Sequence, residues 1–168
     1  MALSCWLLLC FAASTVEGMP DAWKWQFKQQ LLKIVKKNPR YVWGGSSDLS
    51  GIDCSHFLFL AAKRAAIPGI SYVPARDMAN GRGGWSGVDL PGERMLKEAD
   101  ECDLPFWKWR NGRWHTGVFL VAPRTGLLEV GHASSTWGVV LEEFKGKLLR
   151  ELYRVRRLTI GDAPPRSR

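Results

Sequence analysis

A cysteine at the mouth of a helix and two histidines on consecutive strands are the residues of this sequence best placed to do chemistry. Asp53-Cys54-Ser55 follows a glycine and serine loop, Gly44-Gly45-Ser46-Ser47, and opens an apolar run. Asp53 or Ser50 can cap a helix that starts there. A thiol in the first turn faces unsatisfied backbone N–H groups and the positive end of the helix dipole. That placement favours the thiolate, the nucleophilic form. The nucleophile needs a base that holds and returns a proton near neutral pH, and imidazole suits. His115 opens the β-like run Trp114-His115-Thr116-Gly117-Val118-Phe119-Leu120, and His132 lies on the next. A hairpin turning at Arg124-Thr125 puts His132 near-opposite Gly117 and diagonal to His115, within side-chain reach. A polar group there can fix the tautomer of the first imidazole. His56 sits two residues after Cys54, a spacing that points it elsewhere on a helix, so it is not read as the base.

Four cysteines are present, with no CxxC pair and only three histidines. Neither a zinc site nor a disulfide framework is expected from that count, and no cofactor is implied. Cys102 reads as a small buried hydrophobe.

The elements that must hold these residues are legible in the same string. Trp23, Phe27, Leu31, Ile34 and Val35 recur at helical spacing over Asp21 to Lys37, and Asn38-Pro39 ends the run. A second helix is expected from Cys54 to Ile67, stopped by Pro68-Gly69. The glycine-rich stretch Ala79 to Gly92 reads as a long surface loop. Strands are expected at Leu104 to Trp109, His115 to Ala122, Leu127 to Ala133, Trp137 to Leu141 and Leu152 to Leu158. Helices first and strands after define an α+β chain with an antiparallel sheet. Trp85 and Trp137 are candidates for stacking on sugar rings; packing is the alternative role for most of the nine tryptophans.

The chain has 168 residues, 46% of them apolar, enough for one domain with its own core. Its formal net charge of +8 favours acidic partners without choosing among them. Arg154, Arg156, Arg157, Arg166 and Arg168 crowd the C-terminal end, where a solvated basic surface is the plain reading. Residues 1–18 read as a cleavable export segment: Ala2 to Val16 carries no charge, and Val16-Glu17-Gly18 has cleavage-site spacing. The apolar run falls short of the roughly 20 residues of a membrane span, so no stable insertion is expected. The domain then runs 19–160, with a tail at 161–168.

The local strings go further than the single residues. Tyr41-Val42-Trp43-Gly44-Gly45 followed by Asp53-Cys54-Ser55 resembles the signature of the NlpC/P60 cysteine peptidases. Cys102-Asp103-Leu104-Pro105-Phe106 is similar to their Gly-Asp-Leu turn. Trp114-His115-Thr116-Gly117-Val118 is similar to their histidine strand, and Gly131-His132-Ala133 with Gly138-Val139 to the strand of the third residue. Pro74-Ala75-Arg76 loosely resembles their Pro-Arg stretch. The resemblance spans about Asp21 to Leu158 and implies a papain-like α+β fold, with the nucleophile helix packed on the sheet. It implies Cys54 as nucleophile, His115 as base and His132 as orienting group. Tyr41, Asp53 and Arg76 match positions beside the site, and Asp53 is expected to hold a free substrate amine. The implied activity is hydrolysis of bacterial cell-wall stem peptides, at the γ-D-glutamyl bond to the diamino acid, by a monomeric periplasmic or secreted enzyme that uses no nucleic acid. An amidase or other acyl-transfer enzyme with the same site, a toxin among them, and a non-catalytic wall-binding module are the alternatives. Two positions depart from the pattern: His56 and Cys102 each stand where glycine is usual.

Overall fold

The structure, a computed structural model, describes residues 18–90 and 95–159. The expected export segment, apart from Gly18, and the tail at 161–168 lie outside the described residues.

Helix α1 (Asp21–Lys37) forms where the sequence predicts it. Trp23, Phe27, Leu31 and Ile34 are its buried stripe, and Asn38 ends it in a left-handed conformation at φ 44°. Two short paired strands, β1 (Ser46–Ser47) and β2 (Gly51–Ile52), lead to α2 (Cys54–Arg64). The α2 cap is Asp53, whose carboxylate accepts the His56 N–H at 2.8 Å, and not Ser50. The helix stops three residues before Ile67, because Ala66 turns to φ 55° and the Ile67 N–H reaches back to the Ala62 carbonyl at 3.1 Å.

The remaining elements are α3 (Ala75–Ala79), β3 (Gly87–Asp89), α4 (Met95–Glu98), β4 (Leu104–Lys108), β5 (Trp114–Thr116), β6 (Val118–Val121), β7 (Leu128–Ser134), β8 (Gly138–Glu143), α5 (Gly146–Arg150) and β9 (Leu152–Leu158). One antiparallel sheet has the order β3-β9-β4-β5 and a second the order β6-β7-β8. Backbone bonds from Gly117 to Pro105 and from Phe119 to Asp103, at 3.2 and 2.8 Å, join them into one layer. The expected α+β class holds.

The layer buries both faces. Leu104, Phe106, Val118, Leu120, Ala133 and Val139 pack with α1 and α2. Trp107, Phe119, Val130 and Val155 form a smaller cluster on the other face, capped by Phe144 and Leu148. Full burial of one such side chain stabilises by about 1.5–3 kcal/mol, so alternation along each strand is strongly enforced.

Three expectations change. The 79–92 stretch is not simply a loop: β3 pairs with β9, and Trp85 is fully buried with its indole N–H on the Ser71 carbonyl at 3.0 Å. Trp85 therefore cannot stack on a sugar, whereas Trp137 is 66% exposed. The basic residues of β9 are not a free cationic surface. Arg154 and Arg156 pair with Asp89, and Arg157 with Asp103, at 3.3, 2.8 and 2.9 Å. No helix among the described residues is long and apolar enough to cross a membrane.

Candidate active site

Cys54 opens α2 and is 5% exposed, its side chain part of the core between helix and sheet. Its neighbour across that contact is Thr116, whose backbone N–H faces the sulfur and favours its ionised form. Strand alternation explains the approach. The Gly117 N–H bonds β4, so the preceding N–H, that of Thr116, points to the opposite edge of the strand. On that edge the ladder with β7 ends at Val118↔Gly131. The Cys54 sulfur thus meets the N–H of the residue that follows His115 in the chain.

The two histidines meet as the hairpin predicts. The register Val118↔Gly131 sets Gly117 opposite His132, and His115 Nε2 lies 2.9 Å from His132 Nδ1. Their rings stand at 84° with centroids 5.1 Å apart. Gly117 is required for this closeness: a Cβ there would lie 2.7 Å from the Gly131 oxygen and 3.1 Å from His132 Cβ. His115 rests against Trp107 and Trp109, centroids 5.5 and 6.1 Å away. His132 Nε2 is buried without an aligned hydrogen bond; Glu142 Oε2, 3.3 Å away, approaches it as an ion-pair partner.

The ionisation of the site departs from the sequence expectation. The Cys54 thiol is pushed up to about 12, by burial first and by the Asp53 carboxylate second. Backbone N–H groups of Thr116, Ser55 and Cys54 pull it down, but by less. Desolvation of the charged form thus opposes the pull of the helix N-terminus on the thiol. Burial lowers His115, with the charge of His132 adding to it. Both shifts favour the uncharged forms, thiol and imidazole.

Tyr41 is half-buried, and its phenol is raised to about 12 by burial and then by Cys54 and Asp53, which places it beside both. Asp53 is 7% exposed and its oxygens are occupied. Oδ1 accepts from the Ser55 hydroxyl and the His56 N–H at 2.8 Å each, and Oδ2 lies 3.1 Å from His56 Nδ1. His56 in turn stacks on Tyr72, centroids 3.7 Å apart. Neither Ser55, Tyr72 nor Glu142 was singled out by the sequence; the strand parity of Glu142 could have flagged it. Arg76 is on α3 with its side chain 66% exposed and an ion pair to Asp77 at 3.9 Å; no hydrogen bond ties it to Cys54 or either histidine. Cys102 is 3% exposed, as read, and its φ of 70° explains why glycine suits its position.

Among the described residues, no group of three or more His, Cys, Asp or Glu side chains is arranged to hold a metal ion.

Fold and site thus define an α+β protein with a buried cysteine at a helix N-terminus and, on the sheet, a hydrogen-bonded histidine pair. The fold is that of NlpC/P60 proteins. A Staphylococcus aureus subsp. aureus Mu50 protein described as similar to lipoprotein, NLP/P60 family, superposes with a TM-score of 0.62 at 19% identity. A Bacillus cereus ATCC 10987 NlpC/P60 family protein does so at 0.57 and 19%. The matches cover 86% and 85% of this chain but 44% and 41% of theirs, so this chain spans less than half their length. No family model and no curated protein matches the chain.

Proposed function

We propose that the chain is a cysteine-type hydrolase of bacterial cell-wall stem peptides, exported to the periplasm or medium by residues 1–18. The observation that carries the reading is the linkage of three groups. The Cys54 sulfur meets the backbone N–H of Thr116, the residue after His115, and His115 is hydrogen-bonded to His132. From the neutral resting state, His115 takes the thiol proton as the sulfur attacks the scissile carbonyl. First-turn N–H groups at the α2 N-terminus stabilise the oxyanion. His115 returns the proton to the leaving amine, the C–N bond breaks and a thioester remains. Water, deprotonated by His115, then cleaves the thioester and restores the thiol.

The bond we favour is the γ-D-glutamyl link to the diamino acid, as the resemblance implies. One observation favours the amidase reading instead. The Asp53 oxygens are held by Ser55 and His56, which leaves little for a free substrate amine. The test is digestion of defined tri- and tetrapeptide muropeptides, read by mass spectrometry. Release of L-alanyl-D-glutamate supports the peptidase; release of an intact stem peptide moves the function to the sugar–alanine amide. No cleavage of either kind, with Cys54 intact, would reject both.

A further inference from the structure

We infer that Glu142 is a positioning residue that decides which nitrogen of His115 is basic, acting through His132. The inference deepens the hydrolase reading and rests on it for the role of His115.

The argument runs inward from the surface. Glu142 lies on β8 opposite Val130, and its neighbour Val140 lies opposite His132, so Glu142 is diagonal to His132 on the same face. Its side chain is 36% exposed while that of His132 is 7% exposed. The carboxylate thus reaches from the surface to the buried imidazole, with Oε2 at 3.3 Å from Nε2. That nitrogen is the one buried side-chain polar atom left without a hydrogen bond among the described residues. A small rotation of a half-exposed glutamate aligns the contact, and a buried N–H left unpaired is costly.

The protons then follow by elimination. A carboxylate accepts and does not donate, so the facing Nε2 of His132 must carry hydrogen. In a neutral imidazole the other nitrogen, Nδ1, is then an acceptor. His132 Nδ1 is 2.9 Å from His115 Nε2, so His115 Nε2 must be the donor. That leaves the His115 lone pair on Nδ1, the nitrogen not engaged by His132. Without Glu142 nothing imposes a direction, and the pair can invert. His115 Nδ1 would then carry the hydrogen and could not accept the thiol proton. Glu142 also opposes the desolvation that disfavours a charged His132. It thereby eases the positive charge that the pair shares once His115 is protonated.

The experiment reads tautomers directly. Long-range 1H–15N spectra of the histidine-labelled full chain should show both His115 and His132 as Nε2–H tautomers. Glu142→Val, a substitution suited to a strand, should give mixed tautomers at both rings. It should lower kcat on a muropeptide by about tenfold or more, as a misplaced tautomer does, with KM little changed. Glu142→Gln, whose amide oxygen still accepts Nε2–H, should restore the wild-type tautomers and most of kcat. Unchanged tautomers in Glu142→Val would overturn the relay, and so would Glu142→Gln behaving like Glu142→Val. The spectra need no substrate. A shift in tautomers in a protein that cleaves no wall fragment would uphold the relay and reject the hydrolase reading alone.

Discussion

His115 Nε2 and His132 Nδ1 meet at 2.9 Å across two strands, and Gly117 is what lets them meet. Any side chain at 117 would push β7 away and separate the rings. The bond makes unequal partners of the two histidines: one can face the thiol, the other only orients it. His115→Ala should therefore lower kcat by about a thousandfold, within the range for a lost general base. His132→Ala should cost less, because a wrongly oriented base still works part of the time. Steady-state kinetics on a defined muropeptide, with circular dichroism to check folding, decide between them. A larger loss at His132 would reverse the roles.

Cys54→Ala should abolish hydrolysis and leave the protein folded, since the change removes one sulfur from a first-turn position. Alkylation with iodoacetamide tests the ionisation state. Burial raises both Cys54 and Cys102 to about 12, so neither has a large thiolate fraction at neutral pH. The Cys54 labelling rate should climb about tenfold per pH unit from pH 7 to 10, as thiolate does well below its pKa. Peptide mapping by mass spectrometry resolves the two cysteines. A plateau near pH 7 would mean a resting thiolate–imidazolium pair.

The same groups shape stability against pH. Thiols pushed up from 9.0 to about 12 keep their protons in the folded protein while the unfolded chain loses them. Their contribution is complete below about pH 9 and is lost as pH rises toward 12. His115 has the opposite sign. Its pKa is lowered on folding, so its contribution is present above about 6.5 and is lost as pH falls below that. Urea midpoints should be flat from about pH 6.5 to 9 and fall on both sides. The acid limb should weaken in His115→Gln, and an unaltered limb would count against the buried neutral imidazole.

His56 holds Asp53 and stacks on Tyr72, which ties it to the residues flanking Cys54. His56→Ala should free Asp53 Oδ2 and lower KM for peptides with a free α-amine, while leaving KM for their N-acetylated forms unchanged. The comparison of the two substrate series is the measurement. Equal effects on both would show that Asp53 plays no part in amine binding.

Arg157 pairs with Asp103 through two nitrogens at 3.1 and 2.9 Å, and Asp103 is 3% exposed. Arg157→Ala leaves a buried carboxylate without its counter-charge and should destabilise by about 3 kcal/mol or more. Chemical denaturation measures it. Arg157→Ala and Asp103→Asn combined should recover part of the loss.

What the sequence determined by itself was local. The stripe of Trp23, Phe27, Leu31 and Ile34, the Asp53 cap and the turn at Arg124-Thr125 are set by periodicity and by neighbours a few residues away. The hairpin register followed from that turn, and with it the meeting of His115 and His132. The strings around Tyr41, Cys54 and His115 by themselves pointed to the NlpC/P60 fold. Only the tertiary structure decided the rest. β3 became a strand because β9, far along the chain, lay beside it, with Asp89 drawn to Arg156. Trp85 became core with its indole N–H on the carbonyl of Ser71, in a separate segment. Burial pushes the Cys54 thiol up against the pull of its helix position, because desolvation depends on everything packed around the sulfur and not on the helix alone. Asp53 was claimed by His56, and Glu142 came to face His132, through side-chain directions that spacing leaves open. Distant contacts and desolvation are properties of the folded solvent-excluded volume, and no run of neighbouring residues encodes them.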